Sequence, residues 1–95
     1  MLCLPSTEKK FKTRADFTSD WNYGRYVGNT VTEGMTVRMR YDEGGLRTGE
    51  MKTGEMGVVV EKWLSGGGYD HVLRLQRNNS DVKCDVWSHN VDIIG

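Results

Sequence analysis

Carboxylates aside, the strong metal-ligand types in this sequence are Cys3, Cys84, His71 and His89. None falls at a Cys-x-x-Cys or His-x-x-x-His spacing, so they describe no metal cage. Cys84 alternates with Val82 and Val86, which places its thiol on an apolar face as a buried, inert group. His89 sits in Ser88-His89-Asn90 after an alternating run and reads as a turn or capping residue. Gly49 and Gly54 have the spacing of the two glycines of a phosphate-binding loop. The next residue is Glu55, where that loop needs lysine, and a carboxylate there repels phosphate. Asn78-Asn79-Ser80 matches a glycosylation acceptor, but it lies in a hairpin where asparagine is wanted for left-handed backbone. No histidine and carboxylate are set together in a cleft by spacing. The expectation is a binding domain with no catalytic residue, no metal and no cofactor.

The aromatic residues carry more. Trp63 ends one apolar run and Trp87 ends another. By alternation Trp87 shares a face with Lys83 and Asp85, and Trp63 shares one with Val59 and Glu61. Both therefore point away from the interior. Either an arm holding Trp21, Tyr23 and Tyr26 folds over them, or they form an exposed patch of the kind that anchors protein partners. We expect the arm over Trp87 and the open patch at Trp63, beside the turn Gly66-Gly67-Gly68. The partner-binding set is then Trp63, Arg40, Arg47, Glu61 and Trp87, with the charged members as a mixed polar rim.

These side chains need a scaffold. Residues 1–20 are polar and mixed in charge with no recurring apolar period, which predicts a flexible leader. The segment 21–33 is spaced neither as a good helix nor as a good strand and reads as an irregular arm or a short helical turn that packs on the domain. From Met35 to Tyr41 apolar and polar residues alternate, the period of a half-buried strand. A long loop spans Glu43 to Thr53 and contains the short repeat Thr48-Gly49-Glu50-Met51 and Thr53-Gly54-Glu55-Met56. Val58-Val59-Val60 centre a second strand over Met56 to Trp63, since β-branched residues favour the pleated sheet. His71 to Arg77 is a third strand. Asn78 to Asp81 turns into a fourth over Val82 to Trp87, and Val91 to Ile94 closes the domain. Five short strands in this order predict an all-β fold, a small SH3-like or Tudor-like barrel that hides its edges. Its interior would hold Val37, Met39, Val58, Val60, Leu73, Leu75, Val82, Cys84, Val86 and Ile93.

Composition agrees. The 95 residues make one small domain, and 13 basic residues balance 13 acidic ones. A nucleic-acid binder shows a basic stripe, which is missing here. There is no apolar run long enough to cross a membrane as a helix and no signal-peptide pattern at the start. Two distant cysteines make no disulfide framework and suit a reducing compartment. The expected setting is cytoplasmic, with the nucleus also open to it, and the isolated domain is expected to be monomeric.

Four stretches carry a family resemblance: Tyr23-Gly24-Arg25-Tyr26-Val27, Gly34-Met35-Thr36-Val37-Arg38-Met39, Gly54-Glu55-Met56-Gly57, and Trp87-Ser88-His89-Asn90-Val91-Asp92-Ile93-Ile94-Gly95. In this order they resemble the CPH domain of large ubiquitin-ligase proteins: cullin-seven, the Parkin-like cytoplasmic protein and the HERC-two protein. The resemblance spans residues 17–95. The chain departs from the pattern in its longer loop over 43–53 and in having Gln76-Arg77 and Trp87 where the family places its strand aromatics. The resemblance implies an SH3-like or Tudor-like barrel and a non-catalytic interaction module of a ubiquitin ligase. It further implies a protein partner, such as the tetramerisation domain of the p-fifty-three tumour suppressor. The alternative from another class is a Tudor-like reader of a methylated peptide or nucleic acid, with Tyr41, Trp63, Tyr69 and Trp87 as its cage. A structural spacer within a larger chain is a third.

Overall fold

The computed structural model describes residues 11–43, 50–66, 70–77 and 81–95. Arg47, Tyr69, Cys3, Gly49, Gly67, Gly68 and the hairpin tip 78–80, all named above, lie outside the described residues. The ordered elements are helix α1 (Asp20–Thr30) and strands β1 (Thr36–Met39), β2 (Met56–Leu64), β3 (His71–Arg77), β4 (Lys83–Trp87) and β5 (Val91–Ile93). Short 3-10 turns stand at Arg14–Asp16 and Ser88–Asn90. The strands form one antiparallel sheet in the order β4-β3-β2-β1-β5. The sheet is open: β4 and β5 are its two edges, joined in sequence by the 3-10 turn and not by a ladder among the described residues. The fold is thus mostly β with one helix.

Where an irregular arm or a short helical turn was expected over 21–33, the chain forms an 11-residue helix. The Ser19 hydroxyl accepts the Asn22 N–H at 3.1 Å and caps the first turn, with Asp20 at the positive end of the helix dipole. Tyr23, Val27 and Val31 follow at intervals of four and are fully buried, so they form the inward stripe. Two glycines, Gly24 and Gly28, mask this stripe in the sequence because glycine disfavours helix interiors. They are there for proximity. A Cβ on Gly28 would lie 2.0 Å from His71 Nδ1, and one on Gly24 3.0 Å from the His89 Cβ. The helix lies against the start of β3 and the 3-10 turn at that distance. Its C-terminal end is held by Lys62, whose ammonium donates to the Gly28 and Val31 carbonyls, both at 2.8 Å.

The inner half of the segment read as a leader is tied down. Phe11 and Phe17 pack against the core. The Phe17 ring stands 5.6 Å from Tyr23 and 5.3 Å from Tyr26, and the Lys12 N–H donates to the Tyr26 hydroxyl.

The core holds Val37, Met39, Leu73, Leu75, Cys84, Val86 and Ile93 as alternation predicts, together with Tyr23, Val27, Val31, Met51, Val59 and Val91. Three expected interior residues are corrected. Val58 and Val60 are only partly buried, and Val59 takes the inward place. Val82 lies outside β4 and is 46% exposed. A run of three valines has no alternation of its own, so the neighbours decide its parity. Val59 pairs with Leu75, while Glu61 pairs with Arg74, so one extra residue is inserted at Val60. This bulge reverses the faces along β2. The loop of 43–53 contributes to the interior as well: Met51 pairs with Glu43 across an isolated bridge and is fully buried.

Candidate functional site

The bulge in β2 decides where Trp63 points. Beyond it Lys62 faces inward against Leu73 and reaches the helix, so Trp63 faces outward. The register then aligns Trp63 with Val72 on β3 and Val72 with Trp87 on β4. Three strands thus present one aromatic row, Trp63–Val72–Trp87, on the face opposite the helix. The neighbouring row is charged: Glu61 pairs with Arg74, and Arg74 with Asp85.

Arg74 organises both rows. Its guanidinium donates to both Asp85 oxygens, from Nε at 2.8 Å and Nη2 at 3.1 Å, and from Nη1 to Glu61 at 3.4 Å. Such a two-point fork fixes the plane of the group. The Asp85 carboxylate, by its hydrogen bonds and its charge, holds the Arg74 guanidinium above its already high ordinary pKa. The same guanidinium lies 5.1 Å from the Trp63 ring centroid, a cation–π contact. Trp63, Ser65, Gly66, Val72, Arg74, Asp85 and Trp87 line an open groove of about 410 Å³. The Ser65 N–H donates to the Asp70 carbonyl at 2.7 Å and closes the turn at its mouth.

Trp87 is fixed from behind. Its ring stacks on His89 with centroids 6.4 Å apart and planes 14° from parallel. The Trp87 backbone N–H, at the open edge of β4, donates to the Glu43 carboxylate, which also accepts from Asn90 Nδ2 at 2.8 Å. His89 in turn lies 3.6 Å from Asp70. His71, on the inner face, is held below its ordinary pKa by burial and by the nearby Lys62 ammonium.

Of the expected partner-binding residues, the structure brings Trp63, Trp87 and Glu61 together. The helix covers the opposite face, so the arm expected over Trp87 is not what shields it. Trp87 leans on His89 and Glu43 instead. Arg40 stands apart from the groove. It donates to the His89 carbonyl at 2.6 Å and packs over the rings of Tyr23 at 5.5 Å and Tyr41 at 4.9 Å, which makes it a clamp between the 3-10 turn and the helix. The sequence reading missed Val72, Arg74 and Asp85 as members of the site. The signal was present in alternation, since Arg74 and Asp85 share the outward face with Trp63 and Trp87.

Chemically the groove offers two indoles and Val72 beside a fixed ion pair. Among the described residues no three His, Cys, Asp or Glu side chains gather at one point, and no helix is long and apolar enough to cross a membrane. No family model, curated protein or solved structure matches the chain.

Proposed function

We propose that this domain is a non-catalytic protein-interaction module that holds its partner in the groove between Trp63 and Trp87. The observation that carries the reading is the alignment of the two indoles with Val72 across three strands, outside the core and over a fixed charged row. Large aromatic side chains held rigidly at a surface lose little freedom when a partner covers them. Following the CPH resemblance, the module belongs to a large ubiquitin-ligase protein working in the cytoplasm and nucleus, and its partner is the tetramerisation domain of the p-fifty-three tumour suppressor. A sheet of this order, whose chain passes between its edges through a 3-10 turn, is read here as an SH3-like or Tudor-like barrel left partly open. The methyl-lysine reader has less support, because the Arg74 guanidinium already lies over the Trp63 ring.

The test is a titration of the isotope-labelled domain with that tetramerisation domain, followed by amide and indole shifts. Shifts concentrated at Trp63, Val72, Arg74 and Trp87 support the reading. Shifts confined to the outer helix face, at Asn22, Arg25 and Asn29, overturn it.

A further inference from the structure

One wall of the groove leans on a histidine. The Trp87 indole lies almost parallel to the His89 imidazole, with the planes 14° apart. Histidine is the side chain whose ordinary charge change falls between about pH 5 and 8. His89 is fixed everywhere but at its ring. Its carbonyl accepts from Arg40 Nη1 at 2.6 Å, and its Cβ packs against Gly24 of α1. The side chain is 28% exposed, so solvent protons reach it.

The charged groups around the ring come from several elements, and all but one are committed. Asp20 of α1 is bonded by Arg14, and Arg40 stands 4.0 Å from the same oxygen. Its carboxyl is held below the ordinary value first by the Arg14 hydrogen bond, with His89 and Arg40 adding less. Arg40 packs over Tyr23 and Tyr41. Glu43 is occupied by the Trp87 backbone and Asn90. Lys62 is held by the Gly28 and Val31 carbonyls.

Asp70, in the turn before β3, is the uncommitted anion. Its Oδ2 lies 3.6 Å from His89 Nδ1, too long for a hydrogen bond. Its Oδ1 is buried with no partner among the described residues. A buried carboxylate oxygen of this kind calls for a donor. His71, the next residue, is badly placed to become one. Its Nδ1 is pressed against Gly28, and a proton there would set a second cation beside Lys62. His89 is the group that can answer.

We infer that His89 and Asp70 form a pH-operated brace behind Trp87, so that protonation of His89 closes its contact with Asp70, fixes the indole in the groove wall and tightens partner binding. This rests on the docking reading above and adds its regulation. Only a proton from solvent is taken up. In the neutral ring one nitrogen is an acceptor, whereas in the cation both are donors. Nδ1–H then reaches Asp70 as a charge-assisted bond, and the positive ring is drawn to the negative face of the indole. The Asp70 carbonyl already holds the Ser65 N–H at the groove mouth, so one closure steadies both sides of the groove. A side chain fixed beforehand loses less freedom when a partner covers it.

The experiment uses the intact chain in two measurements. The first follows the ring signals of His89 and His71, assigned separately, and the indole N–H signals of Trp87 and Trp21 by NMR from about pH 8 to about pH 5.5. The inference expects Trp87 to shift with the His89 midpoint and not with that of His71. The shift should vanish in His89→Phe, which keeps a stacking ring without a titrating group, and shrink at least several-fold in Asp70→Ala. The second measures affinity for the tetramerisation domain at both ends of that range. The parent should bind several-fold tighter at the acidic end than His89→Phe does, and the two should converge at the alkaline end; this comparison cancels any titration of the partner itself. A Trp87 signal that ignores His89, a shift that survives in His89→Phe, or equal pH dependence of binding in both proteins overturns the inference and leaves the docking reading standing. No binding at either pH sinks the docking reading, and this inference with it.

Discussion

Substituting Gly28 by alanine should destabilise the domain, although glycine-to-alanine changes inside helices ordinarily stabilise by roughly 0.5–1 kcal/mol. The added Cβ would stand 2.0 Å from His71 Nδ1, 2.2 Å from its Cγ and 2.7 Å from its Cβ. A flexible side-chain tip could swing away at little cost. The His71 Cβ cannot, because the β3 backbone, paired there with Leu64 of β2, fixes it. The helix must back off instead, and in doing so it strains the Lys62 hydrogen bond to the Gly28 carbonyl at 2.8 Å. Overpacking of this kind costs about 1–3 kcal/mol, enough to outweigh the propensity gain. A net loss of about 1 kcal/mol would lower Tm by roughly 4–8 °C for a domain of this size. Thermal or urea unfolding followed by circular dichroism reads it directly. Gly24→Ala, whose new carbon meets its neighbours only at 3.0 Å and beyond, should cost less. Adding His71→Ala to Gly28→Ala should recover part of the loss and not all, since the contact at 2.7 Å survives. A Gly28→Ala protein as stable as the parent would refute the close helix-to-strand approach on which the fold account rests.

Other outcomes follow from the same contacts. Stability should fall as pH drops below the usual histidine pKa of 6.5, because His71 is held below that value in the folded state and the unfolded chain binds the proton first. The slope should flatten in His71→Ala. It is separable from the acid limb of Asp20 and Asp42, whose carboxyls are held below 3.8 by the Arg14 hydrogen bond and the Thr53 hydrogen bonds respectively. Val37→Ala and Leu73→Ala, both fully buried on the inner face, should each cost about 1–4 kcal/mol in urea unfolding. Phe17→Ala should cost more than a surface change. It removes two ring pairs worth about 0.5–1.5 kcal/mol each, so a null effect in the same assay would return residues 11–19 to the status of a loose leader.

Where alternation was unbroken, the sequence spoke clearly. His71 to Arg77 was legible as a strand to the residue, with Leu73 and Leu75 inward, because two faces with opposite chemistry leave one register. The helix was obscured although its inward stripe, Tyr23, Val27 and Val31, recurs every four residues behind a serine cap. Gly24 and Gly28 argue against a helix by propensity, and their reason lies in their closeness to His89 and His71, far along the chain. The interior side of β2 was misread for a different cause. An inserted residue at Val60 leaves no mark in a run of valines, and it shows only in the partner strand. Oddly, the outward placement of Trp63 survives that error, because the reading took Val59 outward, missed the bulge, and the two mistakes cancel. Arg40 was placed on the groove's rim by its position in the alternating run Met35 to Tyr41, and no sequence pattern could show that it folds back onto Tyr23. Met51, buried at the base of a loop, carried no period at all.

The central claim is that the Trp63 row serves a partner and not the fold. It is tested most directly by measuring Trp63→Ala twice on one preparation: Tm by circular dichroism, and affinity for the tetramerisation domain by calorimetry. The account predicts a Tm within a few degrees of the parent and loss of measurable binding, since Trp63 lies outside the buried cluster and forms one end of the docking row. A protein that unfolds on this substitution, or one that keeps its fold and binds as before, would contradict it.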